Sequence, residues 1–557
     1  MFALAPTFAS HSTTPRVPPA SSTQNSIYAS FSAHFWLFTA LCIALGAEQF
    51  VSAAVGVALP DIAGSFGASP DETSWVMTLY LVGFTVAMPL TPFLSDALGQ
   101  RLYIGASILT YMLASAGCAF ANSLAMLLVM RVIAGMAGAT FLVRYVVTSR
   151  SRLTPRGRRI GIFFVVLAFA FRGIAPACGG YLTETLNWRW IFLVSIPISA
   201  LAMVALCFSR ETWPPKRHPL PDLFGLTLLV GGIACFCIFL NRAQIDDWFG
   251  SRVIILLAII AAISCPLFIW HQHAPHNRRP LIRLDSLKHR GVLPGMFFAL
   301  LLGFAMQGGL YLLPHFLRTV ARNDAIGAGW MLTIDSAATA VALVFVAAGV
   351  ILHSSRKWLV LVGVIFAASM LLFAFRQTAE TSNASLILPL ILRGLALATG
   401  LFPLPDLMFR EVAEVSFDYL AEARALYYTI RQLGGVIGVA WLAYLLDARE
   451  SRYSIDLSAH ISSLDINTST ALSGIAHGLA SRGVPPAQTA RGAQLVLKKL
   501  VSQQAAILSY QDIFIVLALI GVAMCIAALL FPKIKRPQTA AQRHARSGSN
   551  RRSLITR

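Results

Sequence analysis

Charged residues are scarce in this chain. Asp, Glu, Lys and Arg together make up 12% of its 557 residues, whereas soluble globular proteins contain about 25%. Acidic residues are the rarer kind, with 24 Asp and Glu against 44 Lys and Arg, which gives a net charge of +20. So low a share of charge excludes a water-soluble protein of this size.

Catalytic and metal-binding motifs are absent as well. The chain has no HExxH, no GxSxG and no phosphate-binding loop, so a polytopic membrane enzyme has the least support among the candidate functions. Its eight Cys fall in apolar stretches, where Cys acts as a small hydrophobic residue. His271, His273 and His276 lie close together, but in a basic segment that we interpret as a solvated linker. We therefore expect no catalytic residue, no bound metal and no cofactor.

Apolar runs, in contrast, are abundant, and 57% of the residues are hydrophobic. A membrane-crossing helix needs about 20 mostly apolar residues, and fourteen segments meet this requirement. They cover residues 35–58, 73–94, 101–121, 123–147, 160–183, 189–209, 223–241, 252–270, 291–316, 326–352, 357–376, 385–409, 420–446 and 507–531. The runs predict an all-α polytopic membrane protein with fourteen transmembrane helices and both chain ends on the same side.

The basic residues are concentrated in alternate connections between these segments. If the N-terminus is inside, more than half of the 44 Lys and Arg lie in or beside cytoplasmic segments, as the positive-inside rule requires. We therefore predict cytoplasmic N- and C-termini. The net charge, which in a soluble protein would suggest nucleic-acid binding, becomes a topology signal plus attraction to anionic lipid. No nucleic-acid partner is expected.

Several motifs stand at the predicted helix ends and centres. Spans 2 and 3 are joined by a short Asp-Gly-Arg turn, and span 5 has a Pro followed by paired Gly. The residues that carry these motifs are Asp96, Gly99, Arg101, Arg131, Pro176, Gly179, Gly180, Arg393, Gly434 and Gly435. Pro and small residues kink a helix and let its neighbour approach closely, and a charge pair at a turn can be made in one state and broken in another.

These motifs, with the run Trp188-Arg-Trp190-Ile-Phe before span 6, resemble the major facilitator superfamily, in particular its fourteen-helix drug:proton antiporter branch. The resemblance implies a major facilitator fold of two six-helix halves, at 35–209 and 291–531, around a central cavity. The remaining segments are an N-tail at 1–34, a linker with two inserted helices at 210–290, an outer loop at 448–506 within the second half, and a basic tail at 532–557. A bacterial inner membrane is the expected location.

Six ionisable residues fall at membrane depth, where charge is costly and usually functional. Glu48, Arg172 and Arg431 lie near the middle of their spans, and Arg131, Asp335 and Arg393 lie about two turns in from the outer face. A carboxyl in a cavity with little water can load a proton on one side and release it on the other. We favour Glu48 for this role and keep Asp335 as the alternative. Each Arg has a structural alternative as an ion-paired or carbonyl-bonded packing element.

The resemblance implies a proton-driven exporter of amphipathic small molecules, that is, multidrug efflux powered by the proton gradient without a cofactor. Trp75 and Tyr80 are candidates for the binding surface. Arg172, which the family motif does not require, could pair with Glu48 or attract an anion. It therefore suggests, as an alternative, an exporter of a specific anionic metabolite or siderophore-like compound. A non-transporting receptor with the same fold is a further alternative.

Expected partners are the substrate, protons and membrane lipid, with a periplasmic adaptor and an outer-membrane channel as further candidates. The outer loop at 448–506 contains an amphipathic stretch at 487–500. As a surface helix this stretch could contact a partner or lipid. We favour the simpler interpretation of a solvated loop with one short helix.

Overall fold

The computed structural model describes residues 20–151, 155–209, 222–243, 248–274, 291–347, 355–376, 383–401, 403–408, 417–459, 466–481 and 485–531. Within these ranges the regular structure is entirely helical. The first six helices are α1 (Ala20–Phe66), α2 (Pro70–Leu98), α3 (Gln100–Ala119), α4 (Leu124–Ser151), α5 (Pro155–Thr185) and α6 (Arg189–Phe208).

A helical pair follows, with a short 3₁₀ helix (Trp248–Gly250) between its members α7 (Leu223–Arg242) and α8 (Arg252–His273). The remaining helices are α9 (Val292–Thr319), α10 (Ala325–Ala347), α11 (Ser355–Phe375), α12 (Asn383–Leu401), α13 (Pro403–Met408), α14 (Phe417–Ala459), α15 (Ile466–Ala480) and α16 (Pro486–Leu530).

Every predicted span coincides with a helix, and twelve helices in the described ranges are long and apolar enough to cross a membrane. The two predicted spans outside these twelve fall on α5 and on α7, whose apolar part, Phe224–Leu240, is shorter. The prediction of an all-α membrane protein is confirmed, while the count of fourteen spans stays a prediction.

Some helices extend beyond the predicted spans. Helix α1 begins at Ala20, within the predicted N-tail, and continues to Phe66. The predicted span 385–409 contains α12 and α13, and residue 402 between them lies outside the described residues.

Residues 448–506 differ more strongly from the predicted loop, because most of them are helical. Helix α14 continues to Ala459, α15 occupies the middle, and α16 begins at Pro486. Polar contacts hold the extensions together: Arg449 pairs with Asp512 at 3.1 Å, and the Tyr453 hydroxyl donates to Asp512 at 2.9 Å. The amphipathic stretch 487–500 is therefore the first part of α16 and continues into its membrane-spanning part.

The same packing pattern occurs twice along the chain. Helix α1 packs on α5 and α6, α2 packs on α4, and α3 packs on α4 and α6. Correspondingly, α9 packs on α14 and α16, α10 packs on α12, and α11 packs on α12 and α16. The two groups meet mainly where α5 contacts α10 and where α2 contacts α14, and α7 lies against α2 and α14.

Small residues bring α5 close to its two neighbours. A Cβ atom on Gly179 of α5 would lie 2.9 Å from the Cβ of Ala54 on α1, and a Cβ on Gly329 of α10 would lie 3.0 Å from the Cα of Ala177 on α5. A contact of 2.9 Å is closer than real Cβ atoms approach and one of 3.0 Å is tighter than most, so both crossings favour glycine.

A leucine at position 179 should separate α1 from α5. We expect Gly179→Leu to lower the free energy of unfolding by about 1–3 kcal/mol, the usual cost of overpacking, and to lower the thermal midpoint in detergent. The matched control is Gly64→Leu, because a Cβ on Gly64 of α1 meets nothing within 4 Å. Equal midpoints for the two variants would contradict the close approach.

Candidate functional site

Glu48 lies near the middle of α1 and is 1% exposed. The Tyr80 hydroxyl of α2 donates a hydrogen bond to its Oε1, and the Gln49 amide donates to its Oε2 at 2.7 Å. A Cβ on Gly138 of α4 would lie 2.8 Å from the Cγ of Glu48, so glycine at 138 makes room for this carboxylate. Both direct partners of Glu48 are neutral donors, as a carboxylate needs when it is removed from water.

Arg131 of α4 holds Tyr80 in place. Its guanidinium lies 4.2 Å from the centre of the Tyr80 ring, and its Nε donates to the Val76 carbonyl at 3.2 Å. The side chain is fully buried, and its Nη1 makes no hydrogen bond to the described residues. The stacked cation therefore sits behind Tyr80, on the ring whose hydroxyl reaches Glu48.

Arg172 of α5 faces the same cluster and is connected to Glu48 through the Gln49 side chain. Its Nη1 donates to Oε1 of Gln49 at 2.7 Å, and its Nη2 donates to Oε1 of Gln307 on α9 at 3.4 Å. Gln49 thus stands between Arg172 and Glu48, where the sequence suggested a direct pair. The sequence analysis missed both glutamines, although Gln49 follows Glu48 within an apolar run.

Arg431 of α14 also reaches α9. It is 8% exposed, its Nη1 lies 3.8 Å from the Met306 sulfur, and its Nε is buried without a hydrogen-bond partner among the described residues. Because Met306 and Gln307 are consecutive on α9, Arg431 and Arg172 reach the same turn of that helix. The positive charges of Arg431 and Arg393 both repel the positive charge of Arg172.

Asp335 of α10 and Arg393 of α12 form an ion pair of 2.7 Å, with side chains 15% and 6% exposed. The second carboxylate oxygen, Oδ1, is buried and has no hydrogen-bond partner in the described part of the chain. A Cβ on Gly309 would lie 2.9 Å from Cζ of Arg393. The charge of Asp335 is therefore already matched by a cation, unlike that of Glu48.

The two candidate aromatic residues have different surroundings. Tyr80 is buried within the cluster around Glu48, whereas Trp75 lies nearer the start of α2 and is half-buried. The Arg242 guanidinium of α7 lies 4.7 Å from the centre of the Trp75 ring. The structure thus brings Tyr80, but not Trp75, into direct contact with Glu48.

The turn between α2 and α3 consists of a single residue, Gly99. Its φ of 84° belongs to the left-handed region that favours glycine. Arg101 donates to the Cys207 carbonyl at the end of α6 at 3.1 Å, while Asp96 is half-buried in the last turn of α2. The Asp-Gly-Arg turn thus ties α3 to α6 through Arg101.

The remaining motif residues lie at helix crossings. Pro176 and Gly180 are buried on α5, and a Cβ on Gly329 of α10 would lie 3.1 Å from the Pro176 carbonyl oxygen. On α14, a Cβ on Gly434 would lie 2.8 Å from Cα of Leu300. A Cβ on Gly435 would lie 3.0 Å from Cβ of Gln307. The motifs therefore bring α5 to α10 and α14 to α9.

His271 and His273 lie in the last turn of α8, not in a solvated linker. His271 pairs with Asp222 at 2.9 Å, and Nδ1 of His273 lies 3.0 Å from the Ile269 carbonyl oxygen, while His276 lies outside the described residues. No group of three His, Cys, Asp or Glu that could hold a metal ion occurs within the described ranges.

Two relatives illustrate what this chain resembles. Multidrug export protein EmrB of Escherichia coli (strain K12) is 27% identical over 489 residues, which cover 85% of this chain and 91% of the relative. Fatty acid resistance protein FarB of Neisseria gonorrhoeae is 26% identical over 495 residues, 86% of this chain and 92% of the relative.

The fold has a counterpart among solved structures. The crystal structure of the human organic anion transporter MFSD10 (TETRAN) matches with a TM-score of 0.52 at 14% identity, over 88% of this chain and 99% of that one. The model of the family described as Major Facilitator Superfamily matches residues 41–439, well over half of the chain. The chain therefore belongs to the Major Facilitator Superfamily.

Proposed function

We propose that the chain is a proton-coupled secondary active transporter that exports amphipathic small molecules by alternating access. The observation that carries the proposal is the state of Glu48, a buried carboxylate whose direct partners, Tyr80 and Gln49, are neutral. Such a group can gain or lose a proton without breaking an ion pair. The EmrB relatives, which are multidrug export proteins, support the same proposal.

In the proposed cycle, the outward-facing state protonates Glu48 and releases the substrate. The inward-facing state then deprotonates Glu48 and accepts the next molecule. The crossings of α5 with α10 and of α2 with α14 are the surfaces on which the two groups of helices would rock. Trp75 and Tyr80 are proposed to contribute apolar binding surface.

The proposal also implies the location, the energy source and the partners of the protein. The protein would lie in a bacterial inner membrane with both termini in the cytoplasm, and the proton gradient would supply its energy. Protons, the substrate and lipid are its proposed partners, and a periplasmic adaptor with an outer-membrane channel could extend the export path.

A second candidate is export of a specific anionic compound. Four buried or half-buried arginines, at positions 131, 172, 393 and 431, face two carboxylates, Glu48 and Asp335. This excess of positive charge at membrane depth favours an anionic ligand. The relative FarB, by its name a fatty acid resistance protein, points in the same direction.

Replacing the carboxyl of Glu48 by an amide removes its exchangeable proton. In proteoliposomes, Glu48→Gln should abolish uphill export driven by a pH gradient, a loss of more than about tenfold, while substrate counterflow continues. Glu184→Gln, which alters an exposed carboxylate of α5, is the control and should export normally. If Glu48→Gln still exported substrate normally under a pH gradient, Glu48 would not be the residue that couples export to protons.

Asp335 should behave differently, because it is ion-paired. Asp335→Asn should leave gradient-driven export in place but lower the stability by about 3–5 kcal/mol, since Arg393 then loses its buried partner. The double variant Asp335→Asn/Arg393→Gln should regain much of the thermal midpoint. Loss of coupling in Asp335→Asn, with its midpoint unchanged, would transfer the proton-carrying role to Asp335.

The second candidate predicts a charge-selective defect. Arg172→Ala should weaken binding of an amphipathic anion such as octanoate by about tenfold or more, because it removes a charge-assisted hydrogen bond, and should spare tetraphenylphosphonium, an amphipathic cation. Arg318→Ala, at an exposed position near the end of α9, is the matched control. Equal losses for both probes would argue against an anion site at Arg172.

A further inference from the structure

Gln49 connects the most buried carboxylate of the cluster to the arginine that reaches across to the second group of helices. Its Nε2 donates to Glu48 at 2.7 Å, and its Oε1 accepts from Arg172 at 2.7 Å. Arg172 in turn donates to Gln307 of α9 at 3.4 Å. The result is a continuous hydrogen-bonded chain from α1 through α5 to α9.

The amide of Gln49 has only one orientation that satisfies both neighbours. A carboxylate can only accept hydrogen bonds, and a guanidinium can only donate them. The NH₂ group must therefore face Glu48 and the carbonyl oxygen must face Arg172. Turning the amide by 180° would set donor against donor at Arg172 and acceptor against acceptor at Glu48. The charge of Glu48 thus fixes the amide, and the amide fixes Arg172.

We propose that Gln49 is the positioning residue through which protonation of Glu48 releases Arg172 and loosens its link to Gln307 between the two groups of helices. A proton on Oε2 turns that atom into a hydroxyl, which accepts more weakly than a carboxylate oxygen from the NH₂ of Gln49, so the amide is no longer fixed and its oxygen is free to leave Arg172. A proton on Oε1, shared with Tyr80, removes the negative charge that strengthens the Gln49 bond. Protonation of either oxygen therefore weakens the hydrogen bond between Gln49 and Arg172.

The surroundings of Arg172 make this release consequential. Arg431 and Arg393 repel it, whereas the charge of Glu48 attracts it. Once Glu48 is neutral, the balance of these forces drives Arg172 away from its present position. The link with Gln307, at 3.4 Å the longer of its two hydrogen bonds, is then the weaker one to lose. This inference rests on the proposed function, because it takes Glu48 as the proton carrier.

The groups that set the response of Glu48 to pH come from four neighbouring helices. Those that interact with it in the described part of the chain are Tyr80 from α2, Tyr111 from α3, Arg131 from α4 and Arg172 from α5. Among these four, Arg172 is the one that is bonded through Gln49 and also contacts α9. Within the described residues, the hydrogen-bonded path from Glu48 to α9 runs through Gln49 and Arg172, and we call this path the relay.

The test follows the separation of the two groups of helices as the pH changes, with no substrate present. Spin labels go on Leu98→Cys, at the exposed end of α2, and Lys357→Cys, at the exposed start of α11, in a chain whose eight native Cys are replaced by Ser or Ala. Pulsed electron resonance then gives the distance distribution between pH 5.5 and pH 8. In the parent chain, we expect the distribution to shift with pH.

Two substitutions at position 49 should shift the pH dependence of the distance distribution in opposite directions. Gln49→Met has neither donor nor acceptor, so it should show at pH 8 the distribution that the parent shows at pH 5.5. Gln49→Glu binds Arg172 by its own charge and should keep the high-pH distribution to a pH about one unit lower. If Gln49 had only a structural role, both variants would shift the distance distribution in the same direction. Gln511→Met on α16, outside the cluster, should match the parent.

The relay and the proposed function can fail separately. If Glu48→Gln removes the pH response while Gln49→Met keeps it, the relay is wrong and Glu48 remains the proton carrier. If Glu48→Gln keeps the full response, the role of Glu48 is wrong as well. A parent chain whose distribution does not change with pH would also overturn the relay.

Discussion

The structure depends on keeping one carboxylate, Glu48, out of water in the middle of a membrane helix. An ionised group at this depth is costly unless hydrogen bonds replace its hydration. Tyr80 and Gln49 supply these bonds, Arg131 stacks on Tyr80, and Gly138 leaves space for the side chain. Three helices, α1, α2 and α4, thus meet at a single side chain, and their close approach allows its hydrogen bonds to be satisfied.

The glycines near the charged groups have a function beyond close helix packing. Gly138 faces Glu48, Gly309 faces Arg393, and Gly435 faces Gln307, and in each case a methyl group would collide with the polar side chain. The same small residues that let the helices pack closely also make room for the polar groups. A shift of one helix would therefore change the space that the polar side chain occupies.

Hydropathy alone was sufficient to predict the helical membrane fold, since apolar runs of membrane length have few alternatives. It also singled out Glu48, because an acid in an apolar run is conspicuous. Gln49 and Gln307 escaped notice because a neutral amide acquires its role only from partners on distant helices. The helices within 448–506 were missed for another reason: polar residues end an apolar run without ending a helix, as α14 shows beyond Asp447.

Because arginines outnumber carboxylates among the buried charged residues, protonation of Glu48 should change ligand binding in a direction that depends on the charge of the ligand. In the proposed cycle, protonating Glu48 removes one of two negative charges that lie near four positive ones, so this region becomes more positive. A cation then binds less well and an anion binds better. A ligand that prefers the deprotonated state competes with the proton and is expelled in exchange for it. An anion held by Arg172 would instead bind together with the proton, so exchange through Glu48 favours the first candidate over export of an anion.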